Sequence, residues 1–274
     1  MGSSTSYAIF WLPSRYHFEP HGSDAAYESL IQRYFRDVGG TSFYNILSQY
    51  SYSKPGRLVY RGPLRNNATL GGVYVDTRPY PRRGTTHAPL FDNDIRAEVR
   101  HVNSITHWKP SFTHMFFVFT AAGVQLCTSS LEEQCTFDAG QDSDQWCAWH
   151  SASGTYLMYA AMPDALSLSN CNPPPGPNGD PWADAMVNWI SHEQFETISD
   201  PVLTAWYQTD AGGEIGDKCD WHFGRLAADG GNLTLNGHRY VVQMEWSNLD
   251  RKCVLSSNYV LPKSPKRSPG RPVT

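Results

Sequence analysis

Ile95-Arg-Ala-Glu-Val-Arg-His-Val-Asn-Ser-Ile-Thr-His-Trp108 and, a few residues on, Met115-Phe-Phe-Val-Phe-Thr120 decide the fold class. In the first segment Ile95, Val99, Val102 and Ile105 recur at three- and four-residue spacing, which predicts a helix with one apolar side. The second is an unbroken aromatic and β-branched run, which predicts a central strand. Upstream, Tyr7-Ala-Ile-Phe-Trp-Leu12 is a second buried-strand run, stopped by Pro13. Ser23 to Gly40 begins on a capping residue, repeats apolar residues at helical spacing and stops at glycines. Strand and helix therefore alternate, and the expected class is α/β (α+β) with a mixed sheet.

Further out the signals are shorter. Thr41 to Tyr52 reads as a second helix, and Ser53 to Leu90, rich in Pro, Gly and Arg, as surface loops with a strand signal at Gly72-Val-Tyr-Val75. Tyr156 to Ala161 is another buried strand, Val202 to Tyr207 a short helix or turn, and Gly237 to Trp246 a strand. Residues 1–6 read as an expression scar, 7–262 as one domain and 263–274 as a disordered tail.

With 274 residues, 40% of them apolar and 13% aromatic, the chain can bury a large core in a single unit. Charged residues are only 18% and the formal net charge is −4, which disfavours nucleic acid and anionic membranes as partners. No apolar run has the length of a membrane span. The six cysteines, Cys127, Cys135, Cys147, Cys171, Cys219 and Cys253, lie in the second half with no zinc-knuckle spacing. Disulfides are expected, in the sequential set 127–135, 147–171 and 219–253. The sequons Asn67-Ala-Thr69 and Asn232-Leu-Thr234 agree weakly with export.

The chemistry is expected on Asn188-Trp-Ile-Ser-His192-Glu193-Gln-Phe-Glu196-Thr-Ile-Ser-Asp200-Pro201. Asp180 can cap this helix and Pro181 fits its first turn. His192 and Glu196 lie about one turn apart and project from one side, with Glu193 about 100° round. An H-E-x-x-E helix of this kind resembles a zincin helix, in which two side chains hold a metal and the intervening Glu handles a proton. A third ligand is expected from another segment, and Glu214, eighteen positions after Glu196, is assigned that role. The layout resembles that of gluzincin peptidases, so Asp217 is assigned as the residue that orients His192. Glu193 is the expected general base. Zn²⁺ is the expected ion; a carboxylate in place of the second His makes Ca²⁺ or Mn²⁺ alternatives. His222 and His150 are additional candidates, each more ordinarily a packed or surface histidine. No P-loop, dinucleotide fingerprint or G-x-S-x-G is present.

Taken together, Phe117-Val-Phe-Thr120, Cys127, Cys135, Gln145-Trp-Cys-Ala-Trp149, Pro173-Pro-Pro175, Asn178-Gly-Asp180, His192-Glu193-x-x-Glu196, Asp200-Pro201, Ala205-Trp-Tyr207 and Glu214-Ile-Gly-Asp217-x-Cys219 resemble the EXORDIUM-like, phosphate-induced protein family of plants. The resemblance covers about residues 115–220, and His150 departs from the Pro usual after Cys-Ala-Trp. It implies a secreted, disulfide-bonded, extracellular or wall protein. The expectation is therefore a secreted zinc metallohydrolase, a peptidase acting on peptide or protein substrates. The alternatives are a non-catalytic extracellular protein presenting tryptophans to cell-wall polysaccharide around a structural metal, and an acidic cluster with no metal.

Overall fold

The computed structural model describes residues 3–53, 60–130, 134–137, 144–154, 156–164, 166–168, 170–208 and 213–260. Five strands form the main sheet: β1 (Ser4–Trp11), β2 (Ala68–Asp76), β3 (His114–Thr120), β4 (Trp149–Ser153) and β5 (Leu157–Met162). Their order is β4-β5-β3-β1-β2, and every neighbouring pair is parallel except the edge strand β4, which runs antiparallel to β5. The mixed sheet expected from the alternation of strand and helix is thus present, and Met115 to Thr120 lies in its central strand.

Side-chain alternation along the strands builds two cores. Phe10, Phe117, Phe119, Met158 and Ala160 face α1 (Asp24–Asp37) and α3 (Pro181–Ser199), while Ile9, Phe116, Val118 and Tyr159 face α2 (Asp92–Thr106). A sheet covered on both faces explains why β3 and β5 are apolar at almost every position. Ser23 caps α1 by accepting from the Ala26 N–H at 3.3 Å. Asp180 caps α3 in the same way, from Ala183 at 2.9 Å, with Pro181 in the first turn as expected. Every residue of α3 from Ala183 to Ser199 is buried.

Several boundaries differ from the sequence reading. β1 starts at Ser4, so Ser4 to Ser6 belong to the sheet and pair with Ala68 to Leu70. Thr41 to Tyr52 is not an α-helix: it holds a 3-10 turn, Tyr44–Gln49, followed by a short strand from Ser51. The proline-, glycine- and arginine-rich segment contains β2, a nine-residue strand. Its Gly71 and Gly72 sit where a Cβ would come within 2.4 Å of Thr5 and of Trp108, so the strand can approach only without side chains there. Gly237 to Trp246 is broken into two pieces, His238–Tyr240 and β6 (Glu245–Ser247), the latter paired with β7 (Lys252–Val254). Between them the backbone is bonded elsewhere: Gln243 N–H donates to Asn188 Oδ1 on α3 at 2.7 Å, and Met244 N–H to the His222 carbonyl at 2.8 Å. The expected tail, 263–274, lies outside the described residues.

All three disulfides form in the sequential pairing. Among the described residues no helix is long and apolar enough to cross a membrane. The disulfides are consistent with a secreted protein. Of the two sequons, Asn67 is exposed, whereas Asn232 is half-buried and its amide donates to the Phe223 and Val242 carbonyls at 2.8 and 2.6 Å.

Away from α3, the carboxyls of Asp76 on β2 and Glu98 on α2 both meet Arg78. Burial, reinforced by Asp76, pushes Glu98 up to about 8 against the pull of Arg78. The folded protein then keeps a proton that the unfolded chain releases near the ordinary value of 4.5. Stability from this group is therefore full below that value and is lost as the pH rises toward about 8. Glu98→Gln should flatten this part of the pH dependence, read as a smaller fall in urea midpoint across that window.

Candidate metal centre

The helix α3 forms the floor of a cleft of about 550 Å³. One wall is Gln145 to His150, which enters the edge strand β4; the other is Glu214 to Trp221. Each wall is tied down by a disulfide. Cys147–Cys171 fixes the first, and the Cys171 carbonyl accepts from Trp189 Nε1 on α3 at 2.9 Å. Cys219–Cys253 fixes the second to β7. The Trp246 N–H donates to the Ile215 carbonyl, and Gln243 Nε2 to the Gly216 carbonyl, so the 215–216 backbone is clamped between β6 and α3.

Into this cleft α3 projects His192, Glu193 and Glu196, the one-turn spacing read from the sequence. His192 Nε2 lies 3.3 Å from Glu196 Oε2 and 3.4 Å from Asp217 Oδ1. Glu196 Oε1 accepts the backbone N–H groups of Gly216 and Asp217 at 3.1 and 3.0 Å, which fixes the carboxylate and leaves Oε2 toward the imidazoles. His192, Glu196 and Asp217 offer ligand-type atoms that all lie within 4.8 Å of one another. A second such trio, His150, Glu193 and Glu196, shares only Glu196 with the first.

The expected residues thus converge, with their neighbours rearranged. Glu214, assigned as third ligand, is outside both trios and pairs instead with His150, Oε1 to Nε2 at 3.0 Å. Asp217, assigned to orient His192 from behind, meets the same Nε2 that faces Glu196; it sits in the trio itself. His192 Nδ1 backs onto Gly216, where an added Cβ would lie 2.9 Å away. His150 is inside the site. His222 is exposed, pairs with the Asp220 carbonyl at 2.8 Å and does not line the cleft.

The electrostatics are those of carboxylates crowded out of water. Burial pushes the Glu193 carboxyl up to about 8, against the opposing pull of His192 and His150, and one of its oxygens is buried without a partner. Burial also raises Glu214, to about 7, with the His150 hydrogen bond opposing. Burial alone would lower both histidines. The Glu214 hydrogen bond and the surrounding carboxylates overturn that for His150, raising it to about 9; Glu196 and Asp217 do the same for His192. Asp217 is lowered because its bond and charge contact with His192 outweigh burial.

Two further acids escaped sequence reasoning. Asp220 lines the cleft, and its spacing of three from Asp217, one turn on, is the signal that marks it. Glu245 on β6 is fully buried behind α3, with both oxygens lacking a hydrogen-bond partner and its carboxyl pushed well up by burial. Nothing in its local sequence distinguishes it from a surface strand residue.

With this geometry in hand, the chain can be placed among known proteins. No family model matches it and no solved structure does. Two curated proteins of Arabidopsis thaliana are similar over part of their length. Protein EXORDIUM-like 5 is 31% identical over 128 residues, covering 39% of this chain and 35% of that protein. Protein EXORDIUM-like 3 is 33% identical over 104 residues, covering 31% of this chain and 30% of that protein. The chain spans about a third of the length of these relatives. The similarity supports the EXORDIUM-like resemblance read from the motifs.

Proposed function

We propose that this protein is a secreted, metal-dependent hydrolase acting on peptides, with the H-E-x-x-E helix as its catalytic element. The observation that carries the reading is the convergence of His192, Glu196 and Asp217 within 4.8 Å beside an unpartnered, buried oxygen of Glu193. One imidazole and two carboxylates form a donor set that suits Zn²⁺, and the share of oxygen also admits Mn²⁺ or Ca²⁺. The trio would hold the ion. Such an ion supplies Lewis-acid polarisation of the scissile carbonyl.

The remaining work falls to the protein. Glu193 in its ionised form, which the positive charge beside it favours, takes a proton from the attacking water and returns it to the leaving amine. The Gly216 and Asp217 N–H groups hold the Glu196 carboxylate in place, so it need not reorganise as charge develops. β4 is an edge strand bordering the cleft, and an extended peptide can pair with such an edge through main-chain bonds.

A second reading, a non-catalytic binder of wall polysaccharide, is favoured by one observation. Trp221, 46% exposed, lines the cleft and packs edge-on against Trp189 at 5.6 Å, a surface on which a sugar ring could stack. Protein purified without chelator, analysed for metal and offered a peptide library before and after chelation, separates the two. Stoichiometric zinc with cleavage that chelator abolishes and zinc restores supports hydrolysis. Bound metal with no cleavage of any peptide supports binding alone. No bound metal ends both.

Gly216→Ala tests the support of the trio. Its Cβ would press on both Glu196 Oε1 and His192 Nδ1 at 2.9 Å, in a backbone otherwise open to alanine. Zinc affinity, measured by competition with a chromogenic chelator, should fall by about 10–100-fold, the range seen when the groups behind metal ligands are disturbed.

A further inference from the structure

We propose that the cleft accepts a second divalent cation, held by His150, Glu193 and Glu196, and that filling this second position switches hydrolysis off. The inference rests on the reading above and adds a regulatory site to it. Its first support is geometric. The two donor trios meet at a single residue, Glu196. Its Oε2 is 3.3 Å from His192 Nε2 and 3.7 Å from His150 Nε2, while Oε1 is tied to two backbone N–H groups. One fixed carboxylate therefore faces both imidazoles, each with a further acid of its own: Asp217 for His192, Glu193 for His150.

The second support is an unsatisfied group. Glu193 is 2% exposed and lines the cleft, and its Oε2 is buried with no hydrogen-bond partner. A buried carboxylate oxygen without a donor is costly unless something positive meets it. Glu214, 3.0 Å from His150 Nε2, stands next to the same position. An ion there takes the place of the proton that His150 and Glu214 share.

The third is charge. Five carboxylates line the cleft (Glu193, Glu196, Glu214, Asp217, Asp220), and among the described residues no Lys or Arg does. With neutral imidazoles and ionised acids, one divalent ion leaves most of that negative charge uncompensated, and the Glu193 and Glu196 carboxylates at its centre are buried. A second cancels most of the remainder. The functional consequence follows from the ligands. The residue assigned as general base is a donor in the second trio, so an ion there occupies the lone pair that would accept the proton. Activity should then rise with the first equivalent of metal and fall with the second.

Equilibrium dialysis of metal-free protein against Zn²⁺ tests this, with bound ion counted by mass spectrometry. The wild type is expected to take two ions per chain above whatever exposed histidines bind, and His150→Gln one fewer. Exposed sites are common to both proteins and cancel in the difference. Manganese provides a readout that needs no variant. Two Mn²⁺ ions sharing the Glu196 carboxylate couple magnetically, so the six-line spectrum of an isolated ion should appear at the first equivalent and broaden at the second. Equal stoichiometry in wild type and His150→Gln, an unbroadened manganese spectrum at two equivalents, or activity that holds at the second equivalent of zinc overturns the proposal. A wild type that binds one zinc and cleaves peptides without inhibition by excess removes the second site and leaves the hydrolase reading standing; one that binds none removes both.

Discussion

Glu193→Gln is expected to lower peptide hydrolysis by about 10²–10⁴-fold, the usual contribution of a positioned general base, while leaving the fold intact and the first zinc bound. Glutamine keeps the size and one hydrogen-bond acceptor of glutamate but cannot take a proton. The side chain lies on a helix with no solvent-facing residue between Ala183 and Ser199, so the substitution swaps one buried polar group for another of the same shape. Stability should rise or stay level, because burial disfavours the charged glutamate and places no such penalty on the amide. The measurement is kcat on a cleaved peptide alongside zinc content and urea unfolding. A variant that retains wild-type kcat would transfer the base role to another residue.

Removing Cys219–Cys253 by paired serine substitution is the second large effect. The bridge spans 34 residues, and closing a loop of that size is worth about 4 kcal/mol of unfolded-state entropy. Denaturant unfolding should show a loss of that order. The bridge also anchors the turn Asp217–Cys219, and with it Asp217 and the Gly216 and Asp217 N–H groups that hold Glu196. Zinc affinity should therefore fall together with stability. Removing Cys127–Cys135 is the control: it closes only eight residues and lies outside the cleft lining. It should cost less stability and leave zinc binding unchanged.

The parts of this molecule legible in its sequence are those whose partners are near in the chain. β3 and the three helices carry dense apolar periodicity, and His192 with Glu196 is a single-turn relation. β2 was legible only from Gly72 to Val75, because Ala68 to Gly71 read as loop, whereas Gly71 and Gly72 let the strand pass close to Thr5 and Trp108. Ser4 to Ser6 read as part of an expression scar, yet Ser4 Oγ pairs with Tyr44 OH at 2.6 Å and Ser6 Oγ accepts from Gln194 Nε2 at 3.1 Å, which makes serines suitable inside a sheet. The pairing of His150 with Glu214 crosses 64 positions and exists only because strand β4 is folded over α3. That Asp217 meets His192 while Glu214 meets His150 has a similar cause. Spacing alone brings both acids near the helix, and the path of the clamped 215–216 backbone decides which of them meets His192.

The two unnamed positions of the H-E-x-x-E motif follow from the burial of α3. In a helix with one wet side they would be spacers, open to nearly any residue. Here Gln194 bonds Ser6 across the first strand and lies 3.4 Å from Tyr34 OH, and Phe195 packs on the rings of Phe43 and Tyr44. This turn of α3 therefore has no position free of packing or cleft contacts. The motif in this fold is five consecutive constrained residues, three facing the cleft and two holding the helix to the sheet and its neighbouring helices.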